Sequence, residues 1–148
     1  MLSLAASAIM VGLVFLFAVF APSFEGDELK AEAQAVNFIS YRNAVNAYAL
    51  EHKTEGVVPD ADLDLPEELA AMPWSNLVVW EEDELRCYVY GPGSAGLMNA
   101  VSELLPSAAV GWNDNGRLVR NGPSLALPDV IGNRNIVSVI VVDKVGGL

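Results

Sequence analysis

The sequence predicts an α+β protein in which a long N-terminal helix, membrane-spanning and then amphipathic, packs on a small antiparallel sheet. Three observations predict it. The first 24 residues carry no charged side chain. Residues 27–53 then place apolar side chains at three- and four-residue steps. The remainder alternates short β-prone runs with Gly, Pro and Asn-Gly punctuation, the pattern of locally paired strands.

The N-terminal run reads LSLAASAIMVGLVFLFAVFAP. A bilayer core needs about 20 apolar residues in helix, and this run supplies them. A cleaved signal peptide wants a basic start, a shorter apolar core and an A-x-A-like site. No Lys or Arg precedes the run, Val19-Phe20-Ala21 matches such a site poorly, and Pro22 follows directly. The segment 1–24 is therefore expected to stay as a single transmembrane anchor, and residues 25–148 to form one soluble α+β domain. Orientation stays open, because only Lys30 lies close after the span and Glu25, Asp27, Glu28 and Glu32 weigh little in the positive-inside rule. The absence of a basic cluster there permits export of the domain. A single cysteine, Cys87, rules out an internal disulfide.

After Pro22 the helical pattern resumes. Asp27 is the expected N-cap, with acidic residues in the first turn where the helix dipole favours them. Leu29, Ala33 and Val36, then Phe38, Tyr41, Val45, Tyr48 and Ala49, form the expected apolar stripe. Phe38, Tyr41 and Tyr48 are expected to pack on the sheet. The helix should end near Lys53, ahead of Gly56 and Pro59, with Pro22 kinking or interrupting its join to the span. Span and helix together make about 50 residues, roughly 75 Å long.

Leu77–Trp80 and Leu85–Tyr90 predict a hairpin around Glu81–Glu84. Gly96–Leu105 reads as a short helix stopped by Pro106. Ala108–Trp112 and Arg117–Val119 bracket Asn113-Asp114-Asn115-Gly116, whose Asn-Gly step signals a tight turn. Gly122-Pro123 and Pro128 mark a loop, and the apolar run Ile136–Val142 suits a central strand. The exposed edge of the sheet or the acidic face is the expected meeting place for partners.

No catalytic set emerges. Gly91-Pro92-Gly93-Ser94-Ala95-Gly96 fits G-x-G-x-x-G, with Asp114 near the spacing of a ribose-binding acid. A dinucleotide fingerprint needs a parallel βαβ unit, whereas the strand that follows enters an antiparallel turn. A flexible turn is the expected reading. Asp60, Asp62 and Asp64 begin like a calcium loop, but Leu65 and Ala71 stand where Gly and Glu are required. They remain weak metal candidates in an acidic, solvated loop. His52, the only histidine, falls at a helix end beside Glu51 and Lys53. Cys87 alternates with Arg86 and Tyr88 as a packed strand residue, and Ser94 lacks the Gly that opens a nucleophile elbow. No nucleophile is paired with a base and an orienting acid, and no His or Cys cluster offers a transition-metal site, so no enzyme and no cofactor is expected.

The net charge is −11, concentrated in residues 25–84, which hold 15 acidic and 3 basic side chains. Such a surface repels phosphate backbones and argues against nucleic acid as a partner. A periplasmic module for a cation or small ligand, built on Asp60, Asp62 and Asp64, is the alternative from another functional class.

Several strings resemble a known family. NFISYRNAVNAYALEHK followed by GVVPD, the GWNDNGRL turn and the late IVSVIVVD strand are similar to PilM-type proteins, the type IV pilus biogenesis proteins encoded with thin-pilus genes of conjugative plasmids. The resemblance covers essentially the whole chain. It implies an accessory role in assembling a mating pilus at the inner membrane, with the soluble domain in the periplasm and with other pilus assembly proteins or pilins as partners. The layout also resembles type IV pilins, in which a long N-terminal helix lies on an antiparallel sheet. Prepilins carry a basic leader, a processing Gly and a Glu early in the mature apolar run. Here no Lys or Arg leads, the run holds no Glu, and Gly12 is followed by Leu13. The chain is therefore not expected to enter the fibre as an ordinary subunit.

Overall fold

The computed structural model of the 148-residue chain describes residues 2–67, 73–81, 83–120 and 124–143, with side chains from Gly26 to Val142 within them. Helix α1 (Leu2–His52) runs 51 residues without a break, about 77 Å at 1.5 Å per residue. The helix continues through Pro22, so the join is not interrupted there. Proline removes one backbone donor, and the long helical stretches on either side carry the helix across it. For the same reason Asp27 is no N-cap: it stands well inside α1. The helix stops at His52 where Lys53 turns left-handed at φ 50°, the usual way a helix C-terminus is closed. Among the described residues no helix is long and apolar enough to cross a membrane; the side chains of the run 1–24, which carry the anchor expectation, lie outside those described.

Among the described residues six strands follow, β1 (Ser75–Glu81), β2 (Glu84–Pro92), β3 (Ala109–Asp114), β4 (Arg117–Val119), β5 (Leu125–Ala126) and β6 (Asn135–Asp143), with α2 (Ala95–Leu104) between β2 and β3. They form one antiparallel sheet in the order β1-β2-β6-β3-β4-β5. The expected hairpin is present, its register running from Ser75↔Tyr90 to Glu81↔Glu84. The expected central strand is β6, flanked on both sides, which explains a run apolar on both faces. At the Asn-Gly turn Asn115 and Gly116 have φ of 51° and 82°, the pair a two-residue hairpin turn requires.

Strand alternation divides the interior in two. One face of the sheet meets α1 and α2: Val78, Leu85, Cys87, Val89, Val110 and Ile136 pack against Ala35, Phe38, Tyr41, Val45, Ala49, Leu97 and Val101. On the other face Tyr88, Tyr90, Val137 and Val139 are covered by Leu118, Leu127 and Ile131. The inward positions of α1 are thus Ala31, Ala35, Phe38, Tyr41, Val45 and Ala49. Phe38 and Tyr41 pack inward as expected, and Tyr48 is half-buried against the same cluster. The first part of the stripe is corrected: Leu29 is 65 % exposed, Val36 is 54 % exposed and Ala33 is exposed. The inward line there is Ala31 and Ala35, because α2 crosses close by and Gly96 approaches Ala31.

Candidate functional site

The best-built polar feature joins α1, the loop after it and β1. Tyr41 Oη donates to Asp60 Oδ1 at 2.7 Å and accepts from Asn76 Nδ2 at 2.8 Å. Asn76, 2 % exposed, also donates to the Val58 carbonyl at 2.9 Å and accepts from the Val58 amide at 2.8 Å. Each buried polar group is satisfied, so the network fixes geometry. Burial pushes the Tyr41 hydroxyl well above its ordinary range, partly offset by the Asn76 hydrogen bond.

The same segment lies against the edge of the sheet. Gly56 exchanges both backbone hydrogen bonds with Val78 at 2.8 Å, and the Trp80 indole donates to the Thr54 carbonyl at 3.2 Å. The loop after α1 thus pairs with the β1 edge at one position, Val78, and lies against Trp80 beside it. The opposite edge is the two-residue β5.

The acidic candidates do not converge. Asp60 and Asp62 lie on a single 3₁₀ turn (Asp60–Asp62), Asp64 follows, and all three are exposed. Asp60 is engaged by Tyr41. Among the described residues no three His, Cys, Asp or Glu side chains are grouped to hold a metal ion. Asp62 and Asp64 instead border an open groove of about 580 Å³ shared with Tyr48, Glu51 and His52. His52 is exposed, stacks on Tyr48 at 4.1 Å between ring centroids, and its Nδ1 lies 3.1 Å from the Tyr48 carbonyl. A second groove, about 300 Å³, runs between α1 and α2 and presents Asp27, Glu28, Glu32 and Glu103.

The glycine-rich segment is structural. Gly91 and Pro92 belong to β2, and Ser94 caps α2 by accepting the Leu97 amide at 3.2 Å. A side chain at Gly91 would meet the Pro73 carbonyl oxygen at 2.7 Å and Trp74 at 2.6 Å, so this glycine permits a close approach. Because β2 lies between antiparallel neighbours, the segment opens no parallel βαβ unit. Asp114 sits exposed at the end of β3.

Cys87 is fully buried among the apolar residues between helix and sheet. Beside that layer Arg42 Nε donates to Ser138 Oγ, itself fully buried, at 2.7 Å. Burial lowers the Arg42 pKa, and burial pushes the Cys87 thiol up to about 11, with Arg42 acting in the opposite sense. A thiol held protonated is a poor nucleophile. The consequence is measurable. Below pH 9 the thiol is neutral folded and unfolded; between about 9 and 11 it ionises only when unfolded, so stability falls as pH rises. The expected loss is about 2–3 kcal/mol, and Cys87→Ala should delay the decline to the range where Tyr41 contributes. Thermal melts of the full chain in detergent at stepped pH read this; identical profiles for parent and variant would contradict it.

His52, Cys87 and Ser94 thus stand at a helix end, in the core and at a helix cap. The structure brings none of them together. It assembles instead the Tyr41–Asp60–Asn76 clasp, which the sequence does not mark, since its members lie 19 and 35 positions apart.

Against this fold, the family model described as PilM matches residues 7–139. The chain belongs to the PilM family. The match takes in α1 from Ser7, strands β1 to β5 and the first part of β6. No curated protein and no solved structure matched the chain. Membership in the PilM family ties the chain to pilus assembly.

Proposed function

We propose that this PilM-family chain is an accessory component of type IV pilus assembly, of the thin, conjugative kind, that acts through protein–protein contacts and catalyses no reaction. The observation that carries the reading is the family match over residues 7–139. Two features support the finer statement. The uncharged run 1–24 is long enough to span the bilayer and lies in the same helix as the residues that pack on the sheet, which supports a continuous connection between anchor and domain. The long helix laid on an antiparallel sheet resembles the layout of type IV pilins, which supports contact with pilins or their assembly partners. The domain then faces the periplasm from the inner membrane, presenting the acidic groove of Asp27, Glu28, Glu32 and Glu103.

Deletion of the gene should abolish piliation and mating, and complementation should restore both. The complementing chain should stay in the membrane pellet after carbonate washing. Val14→Arg should move it out of that pellet, because a charge near the centre of a span costs about 2.5–3.5 kcal/mol on insertion scales. Full-length chain released by carbonate, or normal mating after deletion, would overturn the proposal.

A further inference from the structure

The turn between β3 and β4 is held by three asparagines. Asn113, 3 % exposed, accepts from the Gly116 amide on Oδ1 at 2.8 Å, and its Nδ2 donates to the Ile131 and Gly132 carbonyls at 2.7 and 3.1 Å. Asn133 Oδ1 accepts from the Asn115 amide at 3.0 Å, and its Nδ2 donates to Asn115 Oδ1 at 3.4 Å. The Asn115 side chain is exposed and donates from Nδ2 to Asp114 Oδ1 at 2.8 Å.

An asparagine followed by glycine carries a reaction in its own backbone. The glycine nitrogen, on losing its proton, attacks the asparagine Cγ. The new N–Cγ bond closes a five-membered imide, and the Cγ–Nδ2 bond breaks, Nδ2 leaving as ammonia with that proton. Water then opens the ring at either carbonyl and leaves aspartate or isoaspartate. Glycine favours the attack because it has no Cβ to hinder the approach. The step needs a nitrogen free to lose its proton and a Cγ free to swing over it. Here the Gly116 N–H is committed to Asn113 Oδ1, the Asn115 amide group is committed to Asp114, and the turn fixes Asn115 at φ 51°.

We infer that Asn115-Gly116 is a latent deamidation site, held shut in the folded chain by Asn113 and opened only when the turn comes apart. The rate of modification then follows the population of the locally opened state. The product does not fit the turn. Isoaspartate lengthens the backbone by one methylene between two residues whose φ of 51° and 82° set the hairpin. Either product also places a carboxylate beside Asp114, where an amide now donates to it. The Leu127 amide donates to the Gly116 carbonyl at 2.8 Å and ties the end of β5 to the same turn, so the change reaches the edge of the sheet.

The test ages the full chain in detergent at mildly alkaline pH, folded and, in parallel, unfolded in guanidinium. Peptide mapping follows the amide-to-acid mass gain and isoaspartate at Asn115. Trypsin cuts after Arg117 and Arg120, so the second Asn-Gly step, Asn121-Gly122, falls in a different peptide. The folded chain should react about tenfold more slowly than the unfolded chain, or slower still. Asn113→Ala should speed the folded reaction about three- to tenfold, the weight of one hydrogen bond. Asn99→Ala, on α2 in the same tryptic peptide, should leave the rate at Asn115 unchanged. Equal rates for folded and unfolded parent would overturn the lock. An Asn113→Ala chain that melts cooperatively yet reacts as slowly as the parent would overturn the part given to Asn113. Should that chain not fold, Asn133→Ala frees the Asn115 amide from an exposed position, and the same two outcomes, acceleration or the parental rate, decide.

Discussion

Phe38→Ala is expected to destabilise the folded domain by about 3–5 kcal/mol, a large share of the roughly 5–15 kcal/mol that holds a domain folded. Phe38 is fully buried at the centre of the helix–sheet layer, and its ring meets Trp74 edge-on at 5.0 Å and 77°. Truncation removes the transfer energy of the ring, leaves a cavity the surrounding β-strands cannot close, and strips Trp74 of its aromatic neighbour. Trp74 has nothing to spare, because its indole nitrogen is buried without a hydrogen-bond partner and Gly91 is pressed against its ring. Leu29→Ala, nine residues earlier on the outward stripe, should change stability by no more than about 0.5 kcal/mol. Denaturant unfolding of the full chain in detergent compares the two. Equal curves for Phe38→Ala and the parent would mean that the inward face of α1 has been assigned wrongly.

That contrast also shows what the sequence makes legible. The hairpin, the short helix after it, the Asn-Gly turn and the central strand are readable because each is written in a few consecutive residues: alternation, an Asn-Gly step, a β-branched run broken only by Ser138. The phase of α1 is not readable in the same way. Apolar residues recur at helical steps on both its sides, and only the position of α2 decides that Ala31 and Ala35 turn inward while Leu29 and Val36 do not. The Asp27 cap was a local signal overruled by a longer helix. β5, two residues long, is too short to leave a periodic trace. The insertion of β6 between β2 and β3 is a non-local pairing that no window of sequence contains. So too with the candidate site. The residue types singled out for chemistry, His52, Cys87 and Ser94, are explained one by one as helix end, core and cap. The buried network that does form depends on Asn76, an inward polar residue in a β-prone run, whose role appears only when the loop after α1 folds back along β1.

The central claim is that the chain works by occupying a place in an assembly, with no single group whose loss stops a reaction. A contact surface spreads its energy over several residues with a few anchors dominating, whereas a catalytic site fails by orders of magnitude when one group is removed. The most direct measurement is mating frequency in a deletion strain complemented separately with His52→Ala, Cys87→Ala and Ser94→Ala. Immunoblots should confirm that each variant accumulates to the parental level. Ser94→Ala gives up a helix cap, about 1 kcal/mol, and Cys87→Ala a small part of the core, so both should still fold. The account predicts that all three restore mating to the parental level while the deletion alone remains defective. A variant that accumulates normally yet mates no better than the deletion would contradict it and put a catalytic group at that position.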